Sequence, residues 1–374
     1  MTEKLPPGQR VLVSAFAENP DDAIAHHVAI HAMAAPDPAD LKPDEIILSI
    51  KSVAVTWVDL LMTSGQYQHM PLPPYCPGME YSGVVAAVGV AVDPAGVVVG
   101  DRVMADFMLV GPRTSGPYQG AGGFASYAVV PQQAVYRIPE AFSFDQACCL
   151  LGNYETAYHC LVARGQLLAG ESVLILGASG STGMAAVQMA KLLGATVIAA
   201  GRSDDKLALV KAHGADHVVN TGAPDGASGV RRFRDEVKAL TGGKGVDVVY
   251  DAVGGATSLE ALRCMAFGGR FLIVGWTSTP DVARGKGQRG APKANQLPTN
   301  IVQMKGLTVM GCPAVIAVSH NPALRTERLA RILQWVQEGR IEPYISHRFP
   351  MAQFKDAMRA RWNADVTGSC ILHP

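Results

Sequence analysis

The chain has 374 residues, 48% hydrophobic and 17% charged, enough apolar material for a large core and for two domains. Lysine plus arginine equals aspartate plus glutamate at 32 each, so no global charge draws the chain to nucleic acid or to an anionic membrane. The N-terminal residues mix charge and proline, no uncharged apolar run reaches membrane-spanning length, and the seven cysteines form no Cys-x-x-Cys pair; a soluble cytoplasmic protein without a signal peptide is expected.

In chain order, residues 1–146 read as strands and turns. Glu45–Val55 alternates loosely and is rich in β-branched residues, Gly83–Val92 is valine-rich, Gly100-Asp101-Arg102-Val103 reads as a turn entering a strand, and Phe124–Val130 is a strand closed by Pro131. Short strands with Gly and Pro punctuation predict a barrel-like β domain. Gln146–Ala163 predicts a helix. Strands then alternate with helices: Val173–Leu176, Thr196–Ala200, His217–Asn220, Val246–Tyr250 and Arg270–Val274, the pattern of a doubly wound parallel sheet. Leu307–Gly311 reads as an edge strand of that sheet, which calls for a two-fold partner. Ala323–Glu338 is amphipathic, with Leu329, Ile332, Leu333 and Val336 on one face, and the chain ends in short β-like pieces. The expected fold is therefore α/β: a β domain from 1–146 and 314–374, interrupted by a parallel-sheet domain from 147–313.

The most informative stretch is 172–206. An apolar strand runs into Gly177-x-x-Gly180-x-x-Gly183, a helix follows, and a second apolar strand ends at Gly201-Arg202. Glycines let the backbone turn tightly and approach a pyrophosphate, and the helix N-terminus offers N–H groups to it. Ser179, Ser181 and Thr182 complete that loop. An NAD site places a carboxylate about 20 residues on, for the ribose hydroxyls. Here Gly201 stands at the strand end, then Arg202, with Lys206 one turn later, which favours the 2′-phosphate of NADP. Ligands bind beyond the carboxyl ends of parallel strands. Asn220 is thus expected near the adenosine, Ala252, Val253 and Gly254 near the nicotinamide ribose, and Gly275, Trp276 and Thr277 at the nicotinamide. Residues 281–295 are nearly devoid of apolar side chains and carry Arg284, Lys286, Arg289 and Lys293. They read as a solvated loop or as a lid for a phosphorylated substrate such as an acyl-CoA.

Several motifs in a fixed order carry a family resemblance: Pro77-Gly78-Met79-Glu80-Tyr81-Ser82-Gly83-Val84-Val85, Gly100-Asp101-Arg102-Val103, Gly123-Phe124-Ala125-Ser126-Tyr127-Ala128-Val129, Thr156-Ala157-Tyr158, the glycine loop, Tyr250-Asp251-Ala252-Val253-Gly254-Gly255 and Gly269-Arg270-Phe271-Leu272-Ile273-Val274-Gly275. Over nearly its whole length the chain resembles the zinc-independent branch of the medium-chain dehydrogenase/reductase superfamily, the quinone oxidoreductase and enoyl reductase group. The resemblance implies a GroES-like β-barrel catalytic domain, an NADP-binding Rossmann domain and a homodimer. Zinc relatives place a cysteine ligand in the region of Val55–Asp59 and a Gly-His-Glu at the later motif. This chain has Val55-Thr56-Trp57-Val58-Asp59 and Gly78-Met79-Glu80, so no metal is expected.

Without zinc, hydride requires an acceptor already electron-poor: an alkene conjugated to a carbonyl (an enone or an enoyl thioester) or a quinone. Tyr67, in Ser64-Gly65-Gln66-Tyr67, matches the Gly-x-Tyr context in which enoyl thioester reductases of the family carry a tyrosine; it is a candidate acid or a substrate-positioning residue. Thr56, the second catalytic candidate, occupies the place of a frequent asparagine beside the nicotinamide ribose, where its hydroxyl offers similar hydrogen bonding; alternatively it is a β-branched strand residue. The resemblance also puts a threonine, Thr156, against the nicotinamide and Asn300 in a loop flanking the cleft; Asn153, opening the same helix, is a cofactor contact or the helix cap, and Trp57 and Trp276 are expected along the substrate cleft, Trp276 alternatively packing at the domain junction. Two other readings stay open: a non-catalytic NADPH-binding protein and a zinc-free alcohol or carbonyl reductase.

Overall fold

The structure, a computed structural model, describes residues 4–67, 69–223, 229–278 and 295–374. The described residues fall into two units, 4–152 with 344–374, and 153–278 with 295–343.

The first unit begins with strand β1 (Gly8–Val13), helix α1 (Pro20–His26) and strand β2 (Val28–Met33), the two strands antiparallel. Strand β3 (Glu45–Ala54) follows, then helix α2 (Trp57–Thr63), strands β4 (Tyr81–Val88), β5 (Arg102–Ala105), β6 (Tyr127–Pro131) and β7 (Val135–Arg137), and the short helix α3 (Phe144–Ala147). β3 does not alternate between core and solvent: eight of its ten residues are buried, Ser49 is half-buried and only Lys51 is exposed, while β4, β6 and the C-terminal strand all pair with it.

The second unit starts with α4 (Leu151–Tyr158), which continues as a π-helical stretch over His159–Arg164. The helix expected over 146–163 is thus broken after Ala147 and changes its winding at His159. Strand β8 (Ser172–Leu176), α5 (Ser181–Leu192), β9 (Thr196–Gly201), α6 (Asp204–Ala212), β10 (His217–Asn220), α7 (Arg234–Leu240), β11 (Val246–Asp251), α8 (Gly255–Cys264), β12 (Met265–Ile273), α9 (Thr299–Met304), β13 (Thr308–Gly311), α10 (Ala314–His320) and α11 (Ala323–Gln337) follow. The chain then returns to the first unit with β14 (Ile345–Pro350), α12 (Phe354–Trp362) and β15 (Ser369–His373).

In the second unit six strands run parallel in the order β10-β9-β8-β11-β12-β13. The direction of winding reverses between β8 and β11, the switch point at which doubly wound sheets open a ligand crevice. Leu174, Leu176, Ile198, Ala200, Val249 and Phe271 form the apolar layer under the helices. In the first unit the order is β14-β15-β3-β4-β5-β7, with β6 also on β3; every pair is antiparallel except β14 with β15.

Two expectations change. The return to the first unit comes at Tyr344 rather than 314, because α10 and α11 group with the parallel sheet. The buried face of α11 is Arg325, Arg328, Ile332, Trp335 and Val336, not the all-apolar stripe expected. The two arginines are tolerated there because the Glu155 carboxylate of α4 faces them: Arg325 Nη2 lies 2.8 Å from Oε1 and Arg328 Nη2 2.5 Å from Oε2. The final segment also contains α12, a helix not expected from its sequence.

Candidate active site

The carboxyl edge of the parallel sheet gathers most of the residues expected to bind nucleotide. β8 ends at Leu176, and Gly177 turns the chain with φ +69°. Gly180 is the N-cap of α5 and no side chain caps the helix, so its first N–H groups stay open to a ligand. Gly183 is required for a different reason: a Cβ there would lie 2.2 Å from the Gly177 carbonyl oxygen, so only glycine lets the helix start this close to the strand. The α5 face toward the sheet carries Met184, Ala185, Val187 and Ala190, and Gly194 follows the helix with φ +82°. A glycine cradle opening onto an uncapped twelve-residue helix fits the pyrophosphate of a dinucleotide.

β9 ends at Gly201, buried, and Arg202 is exposed beside it. A Cβ on Gly201 would sit 3.9 Å from Ser179 Oγ, which places the glycine loop next to this strand end. Ser203 caps α6 by accepting from the Lys206 N–H, so Lys206 lies in the first turn of that helix. Asn220 ends β10 as expected, but its side chain is occupied: Nδ2 donates to Asp204 Oδ1 at 2.8 Å and Oδ1 accepts from the Gly222 N–H at 2.8 Å. Its carbonyl oxygen accepts from Arg231 Nε at 2.8 Å.

On the other side of the switch point the organising residue is one the sequence reading passed over. Asp251, fully buried at the end of β11, accepts from the N–H groups of Val253 and Gly254, each at 2.9 Å, on Oδ1, and from the Ser258 hydroxyl on Oδ2. Burial raises its carboxyl pKa, and these hydrogen bonds oppose the rise. The turn Ala252-Val253-Gly254 is thereby fixed, with Gly254 at φ +82°. The turn after β12 lies alongside: the N–H and hydroxyl of Thr277 donate to the Ala252 carbonyl, and the Ser278 N–H donates to that of Val253. A Cβ on Gly254 would fall 3.0 Å from Trp276 Cβ, and one on Gly177 would fall 3.1 Å from Val253 Cγ2. The structure therefore brings Gly177–Gly183, Gly201–Arg202, Asn220, Ala252–Gly254 and Gly275–Thr277 to one edge. Trp276 is 43% exposed. Asn153 lies inside α4 rather than at its cap, and its Oδ1 accepts from the Thr182 hydroxyl at 3.1 Å, tying α4 to the glycine loop; Thr156 is half-buried one turn on. Asn300 is exposed on helix α9, not in a loop.

The first unit treats its expected site residues differently. Thr56 is the N-cap of α2, and its hydroxyl serves the helix: Oγ1 donates to Asp59 Oδ2 at 2.7 Å and accepts from the Asp59 N–H. Asp59, fully buried, also accepts from the Thr56 N–H and, on Oδ1, from the Gly78 N–H at 3.0 Å. Burial raises the Asp59 pKa against hydrogen bonds from Thr56, Gly78 and Met79. The Thr56 hydroxyl, a catalytic candidate from the sequence, is thus engaged with Asp59 in this structure. Trp57 stacks on Trp362 of α12 with ring centroids 5.0 Å apart, a packing partner that sequence spacing does not reveal. Tyr67 is half-buried, with the Arg113 guanidinium 5.8 Å from its ring centroid. Val55 and Met79 are buried, and Glu80 accepts from the Gly152 N–H at 2.7 Å. Among the described residues no three His, Cys, Asp or Glu side chains come together. The basic stretch expected over 281–295 lies outside the described residues except Asn295, whose Oδ1 accepts from the Gly255 N–H.

Residues 42–140 match the family model for the alcohol dehydrogenase GroES-like domain, and residues 181–314 match that for zinc-binding dehydrogenases. Quinone oxidoreductase-like protein 2 of Bos taurus is 32% identical over 336 residues, 90% of this chain and 86% of that protein. The crystal structure of a probable oxidoreductase from Mycobacterium abscessus superposes with a TM-score of 0.77 at 27% identity, over 99% of both chains. That of Escherichia coli quinone oxidoreductase complexed with NADPH has the same fold, with a TM-score of 0.75 at 24% identity over 98% of this chain and all of that one. With a GroES-like domain joined to a parallel-sheet nucleotide-binding domain, the chain is an oxidoreductase of the medium-chain dehydrogenase/reductase superfamily and belongs to its quinone oxidoreductase branch.

Proposed function

We propose that this oxidoreductase uses NADPH to reduce an activated C=C bond, in an enone or enoyl thioester, or a quinone, without zinc. The observation that carries the reading is the end of β9. No carboxylate stands there to bind ribose hydroxyls; Gly201 passes directly to an exposed Arg202, next to a glycine cradle and an uncapped helix. Arg202 and Lys206 hold the 2′-phosphate, Gly177–Gly183 with Ser179, Ser181 and Thr182 hold the pyrophosphate, and the paired turns at 252–254 and 275–277, with Asn153 and Thr156, orient the nicotinamide end. When bound, NADPH supplies the hydride. The chain holds the acceptor, and the Tyr67 phenol orients the carbonyl or donates the proton that completes reduction. The donor set supports the zinc-free reading, since Val55–Asp59 holds no cysteine where zinc relatives carry a thiolate, a Met79 thioether stands in place of the imidazole, and the Asp59 carboxylate is held by backbone amides.

Two features support the wider setting. Among the described residues β13 pairs only with β12 and its other edge carries no strand, with Val309 partly exposed; edge-to-edge pairing of two copies makes a homodimer, which light scattering tests. None of the seven cysteines forms a disulfide and all are buried, in keeping with the reducing cytoplasm, and no helix among the described residues is long and apolar enough to cross a membrane.

The test is NADPH consumption with crotonyl-CoA, acryloyl-CoA, a simple enone and phenanthrenequinone, wild type beside Tyr67→Phe and Arg202→Asp. Turnover of any of these, with Arg202→Asp shifting preference toward NADH by about tenfold or more, is the expected result. Loss of turnover in Tyr67→Phe with cofactor affinity retained makes Tyr67 the acid; full turnover makes solvent the donor. Cofactor binding without consumption by any acceptor would favour a non-catalytic NADPH-binding protein.

A further inference from the structure

Arg113, half-buried, differs from the arginines that this protein buries. Arg325 and Arg328 face Glu155, and Arg361 donates from Nε to the Val55 carbonyl and from Nη1 to that of Gly368. Arg113 makes no ion pair or hydrogen bond among the described residues, and its Nε is buried without a partner. Its guanidinium instead lies against two aromatic rings, 5.8 Å from the centroid of Tyr67 and 5.7 Å from that of Phe107. An unpaired, partly desolvated cation is costly, and a fold that keeps one leaves it ready for an anion.

The segment that carries Arg113 is held in place. Asp106, fully buried, accepts from the Met108 N–H at 2.9 Å and from the Tyr136 hydroxyl at 3.1 Å. The Thr114 hydroxyl donates to the Gly111 carbonyl at 2.8 Å, Gln119 Nε2 donates to the Thr114 carbonyl at 2.5 Å, and the Gly111 N–H donates to the Tyr118 carbonyl. Arg113 thus projects from a pinned loop onto the one tyrosine that the functional reading places against the acceptor. Its side chain is half-buried, so with Nε enclosed the terminal nitrogens form the end that an incoming oxygen reaches.

We propose that Arg113 is a specificity-determining residue that receives an anionic oxygen group, carboxylate or phosphate, carried by the acceptor beside Tyr67. The proposal rests on the reading that Tyr67 faces the acceptor. A guanidinium binds such a group through paired N–H donors, and the two rings keep the fork from swinging away in the free enzyme.

Calorimetric titration with benzoate, phenyl phosphate and neutral benzamide tests this without any need for turnover. Wild type is expected to bind one of the anions about tenfold or more tightly than benzamide, and Arg113→Gln to erase that preference. Whichever anion binds more tightly identifies the group. Arg113→Lys, which keeps the charge and loses the fork, is expected to retain part of the preference and guards against a folding defect in the glutamine variant. In turnover, Arg113→Gln is expected to raise KM for benzoylacrylate about tenfold more than for its methyl ester. No anion preference in wild type, or one that survives Arg113→Gln, overturns the proposal. Anion binding that depends on Arg113, in an enzyme that consumes no NADPH with any acceptor, leaves the anion site standing and removes the reductase reading.

Discussion

In each unit a fully buried aspartate lies next to residues expected to form the site, Asp251 in one and Asp59 in the other, and the two do different work. Asp251 fixes the turn at 252–254 by taking two backbone N–H groups on one oxygen and a serine hydroxyl on the other. Asp59 takes one backbone N–H on Oδ1, and a backbone N–H and a threonine hydroxyl on Oδ2. In the nucleotide-binding unit the buried charge shapes backbone that faces the ligand edge. In the GroES-like unit it joins the start of α2 to Gly78, and the polar side chain beside it, Thr56, is used up in doing so. On the proposed reading, pyrophosphate recognition is a property of backbone geometry, which tolerates little change, with Arg202 and Lys206 added for the 2′-phosphate, whereas acceptor chemistry falls to two side chains, Tyr67 and Arg113, that the helix cap and the core have not claimed.

The largest effect that sharpens this contrast is expected at Gly183. Gly183→Ala puts a methyl against the Gly177 carbonyl and displaces the loop, at a cost of about 3 kcal/mol or more. NADPH affinity is expected to fall at least about a hundredfold in a fluorescence titration, and retained affinity would show that the cradle is not the binding element. Next comes Asp59→Asn. Both Asp59 oxygens face backbone N–H donors, so the amide nitrogen must point at one of them, and a loss of about 2–3 kcal/mol is expected in urea denaturation. Thr56→Ala follows, costing about 1 kcal/mol as the loss of an N-cap, with kcat and KM close to wild type; a large fall in kcat would return Thr56 to the catalytic set.

The smallest effect is expected at Asp251→Asn, and it is the sharpest test of the comparison. An asparagine can keep its oxygen toward Val253 and Gly254 while its amide donates to Ser258, whose hydroxyl rotates to accept, so the change at neutral pH is expected to stay below about 1 kcal/mol. The pH dependence has a defined sign. A carboxyl whose folded pKa is raised contributes stability at low pH that is lost as pH rises through the folded value. Asp251→Asn removes that loss, so the variant is expected to improve relative to wild type as pH rises above the ordinary aspartate range of about pH 4. A constant difference over that rise in pH would show that Asp251 titrates as it does in the unfolded chain.

Much of the nucleotide half was legible in the sequence because its rules are local. Strand, glycine spacing and helix at 172–193 follow one another along the chain, and the steric need for Gly177 and Gly183 arises within that segment. The vacant acidic position at Gly201 is also read directly, since the end of the second strand has a fixed place in a βαβ unit. What the sequence did not show depends on segments that meet only in the fold. The apolar stripe expected on α11 contains Arg325 and Arg328 because Glu155, far away in the chain, compensates them. Trp57 finds Trp362, and Arg113 reaches Tyr67, across separations that no periodicity encodes. Backbone turns and helix starts are set by neighbours a few residues apart and are therefore written into the sequence. The pairing of a buried charge, the partner of a ring and the absence of an ion-pair partner for Arg113 among the described residues are set by how distant segments pack, and only the tertiary structure decides them.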